Sequence, residues 1–563
     1  MKKGISSKVV AVILVFVLMA TMLAGCGNKE AGAGTGDGQT AQTPSAAEKV
    51  MRVSVSGTPK IDPAVGMDYS SCIALVNLYD SLVFPGDDGS VKPMLAEKWD
   101  VDESGLNYTF YLKKGVKFHN GNEVKAADVV FSMKRLMTIG EGYAYLFTGV
   151  VKDITAPDDY TVKITLEKTF GPFVGTLSRL YVLNENEVMQ NIKKEGSYGE
   201  FGDYGREWLI THDAGSGPYI AKELQQQGYL YAVKFNDYFT GWDKDAPDAI
   251  RLIDNTEGAT IRTMMGNKEL EITDMWQSTE NLQAMSKIPG VSIAVYSTGS
   301  IQNMMLNTKK APTDDVNFRK AISYLFDYKM ISDKIFPQSP VAKGLACSTT
   351  PGHKADIFQY SFDPAKAKEY LQKSKYANNL DKYPIELLVN TDVADHEKVA
   401  LAFQSAASQV GIKVNISKAP WISITDQVSK VDTTPNIVCI NVPVHYNEVG
   451  SMLETRYHSK SVGTWEQAEW LQDKALDAEI EDAVATVDQT ERFAKYAKLQ
   501  DKIVNDIVPT VWLVELNERS AYQSDYVYWP AAEASKQGKY INTLMGYHFY
   551  FHDFKLYPDK MKK

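Results

Sequence analysis

Cysteine is scarce in this chain, with four residues in 563: Cys26, Cys72, Cys347 and Cys439. A small secreted domain that is held together by disulfides carries more cysteines in a regular spacing. The last three lie far apart in the sequence, so we expect buried free thiols, and one disulfide among them stays open as an alternative. Nothing around these cysteines indicates thiol catalysis.

Long apolar runs are also missing after residue 20, which leaves no candidate for a permanent membrane span. Before that point, lysines precede an apolar stretch from Val9 to Ala20. This stretch is short and is typical of a signal peptide, predicted as 1–25. The sequence Leu23-Ala24-Gly25-Cys26 resembles a bacterial lipobox, which implies cleavage before Cys26 and lipid attachment to Cys26. An ordinary secretory signal with an incidental cysteine is the alternative.

The segment that follows is poor in apolar residues and rich in Gly, Ala, Thr and Gln. We therefore predict a flexible tether over 26–49. A lipid, a tether and a large remainder predict a protein that is anchored to the cell membrane and faces outside, in the extracellular or periplasmic space.

An excess of basic residues is absent: 60 Lys and Arg stand against 70 Asp and Glu, for a net charge of −10. This balance argues against a nucleic-acid partner. Hydrophobic residues make up 44% and charged residues 23%, which are values of globular proteins. Removing 25 residues from 563 leaves 538, too many for one ordinary core, so two or three lobes are expected.

Catalytic motifs are missing as well. His396-Glu397 begins like a zinc-protease motif, but the second histidine is replaced by Ala400. The chain has no G-x-S-x-G elbow and no P-loop. We therefore expect no enzyme, no cofactor and no metal site. A secreted hydrolase is the alternative from a different class, and no motif supports it.

The amino-terminal half contains several segments in which apolar and polar residues alternate, as half-buried strands do. Such segments predict strands at Met51–Val55, Asn107–Leu112, Thr161–Leu166 and Gly228–Phe235. Asp128–Met137 has the spacing of an amphipathic helix instead.

The carboxy-terminal half alternates helical and strand patterns, which predicts an α/β fold class. Helices are predicted at Phe318–Phe326, capped by Asp314 or Asp315, and at Asp363–Leu371, Val399–Val410, Glu466–Val487 and Thr490–Ile507, the last with Asp488 as its cap. Strands are predicted at Ile385–Val389, Ile412–Ile416, Ile437–Ile440 and Val511–Leu516.

An ordered set of motifs resembles the family 5 extracellular solute-binding proteins, the oligopeptide, dipeptide and nickel receptors of ABC importers. These motifs are Pro93-Met94-Leu95-Ala96-Glu97-Lys98-Trp99, Asn107–Gly121 with Gly115-Val116-Lys117-Phe118-His119, Ala127-Asp128-Val129-Val130-Phe131-Ser132, Gly215-Ser216-Gly217-Pro218-Tyr219, Phe318-Arg319-Lys320-Ala321-Ile322 and Phe362-Asp363-Pro364-Ala365-Lys366-Ala367. Each motif is weak alone, whereas the ordered set is strong. We interpret the motif residues as structural, with His119 as a scaffold residue.

The resemblance implies a type II periplasmic-binding-protein-like α/β fold. Lobe I would comprise 50–88, 215–303 and 511–563, a satellite domain 89–214, and lobe II 304–510. A two-stranded hinge would cross near Asn303–Leu306 and Val511–Leu516. The implied function is capture of a short peptide or peptide-like solute between the lobes and its delivery to the permease subunits of an ABC importer. A monomer is expected.

The same resemblance implies candidate ligand contacts in lobe II. In peptide-binding relatives, an aspartate in a D-Y-N-E-P pattern holds the amino terminus of the ligand. Here His445 stands at the aspartate position, followed by Tyr446, Asn447 and Glu448. A buried ammonium group needs an opposite charge. Glu448 could supply it if the local backbone differs, and His445 puts an α-amino peptide ligand in doubt.

Aromatic residues are the other candidate contacts. Trp276 stands where relatives place ligand-facing residues, and Trp421 follows a strand of lobe II, where it could face the cleft. In relatives, the early loop that corresponds to Met67, Asp68 and Tyr69 often reaches the ligand. A tryptophan pair would suit stacking on sugar rings, so an oligosaccharide is an alternative ligand. A nickel chelate is another, although a single histidine makes a weak metal site. Packing in the core is the simpler interpretation of each aromatic residue.

Overall fold

A computed structural model describes residues 48–86 and 90–561. The predicted signal peptide, Cys26, nearly all of the predicted tether and residues 87–89 lie outside the described residues. The strands are β1 Val50–Val55, β2 Val83–Pro85, β3 Val91–Pro93, β4 Ala96–Val101, β5 Asn107–Leu112, β6 Val151–Asp158, β7 Thr161–Leu166, β8 Tyr219–Gln225, β9 Tyr229–Lys234, β10 Ala249–Asp254, β11 Val291–Leu306, β12 Ile385–Asn390, β13 Val414–Ala419, β14 Ile437–Val442, β15 Thr510–Gln523, β16 Val527–Tyr528 and β17 Lys555–Leu556.

Helices of eight residues or more cover the sheets. They are α1 Tyr69–Leu78, α2 Ala126–Ile139, α3 Gly258–Asn267, α4 Val316–Ser323, α5 Pro364–Lys373, α6 Ala394–Ser408, α7 Trp421–Val428, α8 Lys474–Ala485 and α9 Gln489–Lys502. Shorter helical segments include Phe173–Thr176, Leu177–Arg179, Glu185–Gln190, Thr279–Met285, Tyr328–Met330, Val449–Met452, Trp465–Gln467 and Pro530–Ser535.

Three larger sheets organise the described residues. One has the order β1-β10-β9-β8, the second β13-β12-β14-β11-β15 and the third β4-β5-β7-β6. The first sheet lies in the predicted lobe I and the third in the predicted satellite domain. The second contains β12–β14 of the predicted lobe II. The domain boundaries themselves stay a prediction.

The two longest strands, β11 and β15, run antiparallel to each other from Val291↔Gln523 to Met305↔Thr510. Beyond Ser300, β11 pairs with β14 on its other edge, while its first half does not. Both strands thus pass from the predicted lobe I into the predicted lobe II. The segments that the sequence indicated for a hinge, around Asn303 and Trp512, face each other in this ladder.

Most predicted elements are present. β5 and β7 have the predicted ends, and Tyr108, Phe110 and Leu112 are buried on one face. The cap of α4 is Asp315, which accepts a hydrogen bond from the backbone N–H of Phe318. Strand β14 is buried along nearly its whole length, as its continuous apolar sequence predicted.

The helix predicted from Glu466 is wrong in its first turns, because α8 begins only at Lys474. The preceding residues form a short turn in which Trp470 adopts a φ of 52°, a left-handed conformation that interrupts an α-helix. In this turn Glu466 contacts the ring of His445, and Glu469 pairs with Arg456. Arg456 is therefore engaged inside the protein by Glu469.

Residues of the motifs that resemble the family stabilise the fold, as predicted. The ring of His119 contacts Asp213 through Nδ1 and donates through Nε2 to the carbonyl of Gly217, 2.9 Å away. A Cβ on Gly217 would lie 2.5 Å from the carbonyl carbon of Leu78, so only glycine fits this close approach. Asp128 accepts a hydrogen bond from the N–H of Lys125 at the start of α2.

The cysteines in the described residues are free and buried, which confirms the predicted thiols at Cys72, Cys347 and Cys439. Burial raises the pKa of Cys72 to about 11, so this thiol stays protonated at neutral pH. Among residues 48–86 and 90–561, no helix is both long and apolar enough to cross a bilayer.

Candidate functional site

A cavity of ≈ 330 Å³ lies between residues of the predicted lobe I and residues of the predicted lobe II. Its lobe I wall includes Met67, Asp68, Tyr69 and Trp276. Its lobe II wall includes the six residues Asn390, Asp392, Trp421, Asn441, His445 and Trp465. Since its walls come from both lobes, relative movement of the lobes would open or close it.

The cavity lies where parallel strands end. β1 runs parallel to β10, and the residues that follow them, Ser56 and Thr256, line the lobe I side. β12 runs parallel to β14, and Asp392 and Pro443 follow them on the lobe II side. Ligands in open α/β sheets bind outside the carboxyl ends of the strands. Here two such edges contribute to one cavity.

Aromatic rings line both sides of the cavity. The rings of Tyr69 and Trp276 meet edge to face at 6.4 Å on the lobe I side. Those of Trp421 and Trp465 meet at 5.2 Å with an interplanar angle of 74° on the lobe II side. Trp421 is 37% exposed, so part of its surface is free to contact a solute. Such rings suit apolar side chains and sugar rings alike.

The three predicted residues of the early loop, Met67, Asp68 and Tyr69, have different roles in the cavity wall. The hydroxyl of Tyr69 lies 2.6 Å from Nε2 of the buried His548, which fixes the tyrosine ring in the wall. The carboxylate of Asp68 caps α1, where it accepts from the N–H of Ser71 at 3.0 Å and from two serine hydroxyls. Asp68 thus lines the cavity as an already hydrogen-bonded carboxylate, and Met67 contributes apolar surface.

His445 lies in the cavity wall with its side chain almost fully buried. Its Nε2 contacts the carboxylate of Glu466, and its Nδ1 has no hydrogen-bond partner in the described structure. The sequence indicated His445 but missed Glu466, because that residue was assigned to a regular helix. The pair places a carboxylate behind the imidazole, away from the cavity lining.

Tyr446 and Glu448 lie outside this cavity. The hydroxyl of Tyr446 donates to Glu454 at 2.8 Å. The carboxylate of Glu448 accepts from Nη2 of Arg492 at 2.7 Å and from the hydroxyl of Tyr496 at 3.2 Å. Both residues line a separate cavity of ≈ 180 Å³ beside the satellite domain. The chain turns sharply after His445, so these side chains point away from the wall that His445 forms.

A polar recess of ≈ 30 Å³ adjoins the main cavity and shares Trp276, His396 and Asn441 with it. Asp395, Glu518 and Arg519 also line this recess. Burial raises the pKa of Glu518 to about 8 and lowers that of His396 to about 3. The sequence indicated neither Glu518 nor Asp395, because no local pattern connects β15 with the start of α6.

Comparison with known proteins identifies the family to which this architecture is similar. The family model "Bacterial extracellular solute-binding proteins, family 5 Middle" matches residues 90–463. The chain is 29% identical over 506 residues to the probable D,D-dipeptide-binding periplasmic protein DdpA of Escherichia coli K12, covering 86% of this chain and 92% of that protein.

Solved structures share the fold. The periplasmic binding protein DppA from Helicobacter pylori, in complex with the peptide STSA, superposes with a TM-score of 0.74 at 22% identity over 90% of this chain and 98% of its own. NikZ from Campylobacter jejuni, in complex with Ni(L-His), superposes with a TM-score of 0.75 at 17% identity over 91% and 100%. The predicted type II periplasmic-binding-protein fold is confirmed.

Proposed function

The chain belongs to family 5 of the bacterial extracellular solute-binding proteins, and on this premise we propose that it is the substrate-binding lipoprotein of an ABC importer that captures a short peptide or peptide-like solute. The observation that carries the proposal is the ≈ 330 Å³ cavity whose walls come from both lobes. A family of receptors makes binding, and not catalysis, the expected activity. Peptide-binding relatives such as DdpA support the ligand class.

Closure of the two lobes is the proposed binding movement. The paired strands β11 and β15 connect the lobes, and bending within this pair would bring Trp276 toward Trp421 around a solute. The importer permease would then recognise the closed form and accept the solute. Six of the predicted contacts lie at the cavity and form the proposed binding surface: Met67, Asp68, Tyr69, Trp276, Trp421 and His445.

Oligosaccharide binding is the second candidate, and one observation favours it. Two aromatic pairs, Tyr69 with Trp276 and Trp421 with Trp465, line opposite sides of the cavity. Faces of this kind stack on sugar rings as readily as they pack against apolar side chains. A nickel chelate has less support, since the described residues contain no group of three His, Cys, Asp or Glu side chains that could hold a metal ion.

A melting-temperature screen distinguishes these ligand classes. The purified protein would be tested against di- to pentapeptides, oligosaccharides and nickel chelates, since a ligand at a hundredfold excess over its Kd stabilises by about 2.7 kcal/mol. We expect a shift with peptides and a smaller radius of gyration by small-angle scattering on addition of the same peptide. A shift with sugars and none with any peptide would reject the peptide class and leave the receptor class standing.

A further inference from the structure

The polar recess beside the cavity contains a buried acidic side chain, Glu518, with few hydrogen-bond partners. Glu518 is 4% exposed, and the hydroxyl of Thr298 donates to one of its carboxylate oxygens over a long 3.4 Å. The adjacent Arg519 is turned elsewhere: it lies 3.6 Å from Asp395 and donates to Thr279 at 3.1 Å. Glu518 is therefore a buried carboxyl group in the described structure without a paired cation of its own.

The charges around the recess leave one acid unmatched. Asp395 lies 2.9 Å from Lys398, and Lys398 lies 2.9 Å from Glu280 on the opposite lobe. Three acidic side chains, Asp395, Glu518 and Glu280, thus stand against two basic ones, Arg519 and Lys398. Burying an unpaired charge is costly, whereas a paired one with good hydrogen bonds is tolerated. Without a cation beside it, Glu518 keeps its proton up to about pH 8, and a cation in the recess would let this carboxyl group ionise.

A second buried group in the recess offers an acceptor. The amide nitrogen of Gln302 donates to Sγ of Cys439 at 3.3 Å, so the amide oxygen faces Nε2 of His396, 3.0 Å away. This oxygen accepts from Nε2–H and leaves a lone pair on Nδ1 of His396. That Nδ1 has no hydrogen-bond partner in the described structure, and His396 is 2% exposed.

The size of the recess limits what can enter. A volume of ≈ 30 Å³ holds about two water-sized groups and no ring. The recess opens onto the larger cavity through the shared wall of Trp276 and Asn441. It therefore suits a small end group of a solute whose body occupies the larger cavity.

We propose that this recess is the binding subsite for a cationic nitrogen group of the solute, with Glu518 as its counter-ion and His396 Nδ1 as a further acceptor. The proposal deepens the proposed function and rests on it. An ammonium group carries N–H donors that match these acceptors, and its charge would stabilise the carboxylate that Glu518 forms on losing its proton. In peptide-binding relatives an aspartate at the position of His445 holds the amino group of the ligand. Here the recess would bind that group instead, at a different place beside the cavity.

Matched amine and amide probes test the subsite. Pools of di- and tripeptides with free amino termini would be compared with the same pools after N-acetylation. Glucosamine oligosaccharides would be compared with N-acetylglucosamine oligosaccharides in parallel. Melting temperature and calorimetric Kd would be measured for the wild type, for Glu518→Gln and for Glu515→Gln. The last is a matched control, because Glu515 is buried on the same strand, bonds to Ser348 and does not line the cavity.

The expected result is that acetylation weakens binding to the wild type by roughly 10- to 150-fold, the range of a hydrogen bond to a charged group. The preference should vanish in Glu518→Gln and persist in Glu515→Gln. Peptides that bind equally well with and without the amine would overturn the subsite and keep the peptide receptor. An amine preference among sugars alone would keep the subsite and reject the peptide class. No binding of any amine probe would overturn both. The wild-type comparison does not depend on the folding of a variant.

Discussion

Nη2 of Arg492 and Oε1 of Glu448 lie 2.7 Å apart in a buried ion pair, with both side chains less than a tenth exposed. Glu448 was the carboxylate that the sequence offered to a ligand ammonium group. Burial raises its pKa, and the hydrogen bond from Arg492 opposes that rise. This pairing occupies the carboxylate of Glu448, so the charge of a ligand ammonium group has to be met by another residue.

Removing one partner of this pair should destabilise the protein strongly. Arg492→Met leaves Glu448 buried without a cation, which costs about 3–5 kcal/mol. The double variant Glu448→Gln with Arg492→Met should recover much of that loss. Urea unfolding measures both free energies, and the affinity for a bound peptide should stay unchanged. A loss below 1 kcal/mol in the single variant would contradict the assigned pairing.

The cavity tryptophans should contribute directly to affinity. Trp276→Ala or Trp421→Ala removes aromatic surface that a solute would cover, with an expected loss of about 1.5–3 kcal/mol in binding. Trp208→Ala is the control, because that ring stacks on His212 away from the cavity. Calorimetry with the peptide selected by the melting screen measures the effect. Equal losses in Trp208→Ala and Trp421→Ala would mean that the effect is general and not local to the cavity.

Glu518 should contribute a loss of stability as the pH rises from about 4.5 to 8. Its pKa is about 8 in the folded protein against an ordinary 4.5, so the folded state keeps a proton that the unfolded state releases in this window. The upper bound of the effect is roughly 4–5 kcal/mol. Glu518→Gln should flatten the decline, so that the variant gains on the wild type at pH 8 and differs little at pH 4.5.

Denaturant unfolding at several pH values tests this slope. The neighbouring titratable groups are Arg519, Asp395, His396, Tyr69, Tyr296 and Cys347. Burial raises the pKa values of the tyrosines and the thiol, so these groups do not titrate in the window. Burial lowers the pKa of His396 to about 3, so below about pH 6.5 this ring gains a proton only in the unfolded state and opposes the effect of Glu518. The difference between Glu518→Gln and the wild type cancels this contribution. Glu280→Gln is the control, since its pKa is lowered by Lys398. An unchanged slope in Glu518→Gln would place the titrating group elsewhere.

An ion pair between the lobes should favour the closed form slightly. Nζ of Lys398 in α6 lies 2.9 Å from Oε1 of Glu280 in the segment Thr279–Met285 of lobe I. Because the pair is solvent-exposed, Glu280→Gln should weaken solute affinity by no more than about fivefold, and only at low salt. Asp333→Asn, which removes an exposed pair with Lys329 inside lobe II, is the control. Calorimetry at two salt concentrations separates the two variants, and a salt-independent loss would contradict the expectation.

Lipid attachment at Cys26 is tested apart from the folded lobes. Cys26→Ser should release the protein from membranes and abolish labelling with palmitate, because the lipid attached to this thiol is the proposed anchor. Thr43→Ser in the tether serves as the control and should stay attached. A Cys26→Ser protein that still pellets with membranes, together with an unlabelled wild type, would reject the anchor.

Local sequence predicted most of the secondary structure. Strands β5 and β7 have the predicted ends because alternation of apolar and polar residues is a property of neighbouring residues. The cap of α4 at Asp315 follows for the same reason. The start of α8 was not predicted correctly. Glu466 and Glu469, which precede it, pair with His445 and Arg456, and these partners are too distant in the sequence for a local pattern to reveal them.

The sequence by itself determined the family and several residues of the cavity, since the ordered motifs and the positions of Trp276, Trp421 and His445 are linear features. Only the tertiary structure decided which charged side chains pair with each other. It turned Glu448 toward Arg492 and brought Glu518 of β15 beside His396 of α6. Such pairings join residues that are distant along the chain, and which ones meet depends on how β11 and β15 hold the lobes together. The pairing and burial of each ionisable group follow from that packing and cannot be read from its neighbours in sequence.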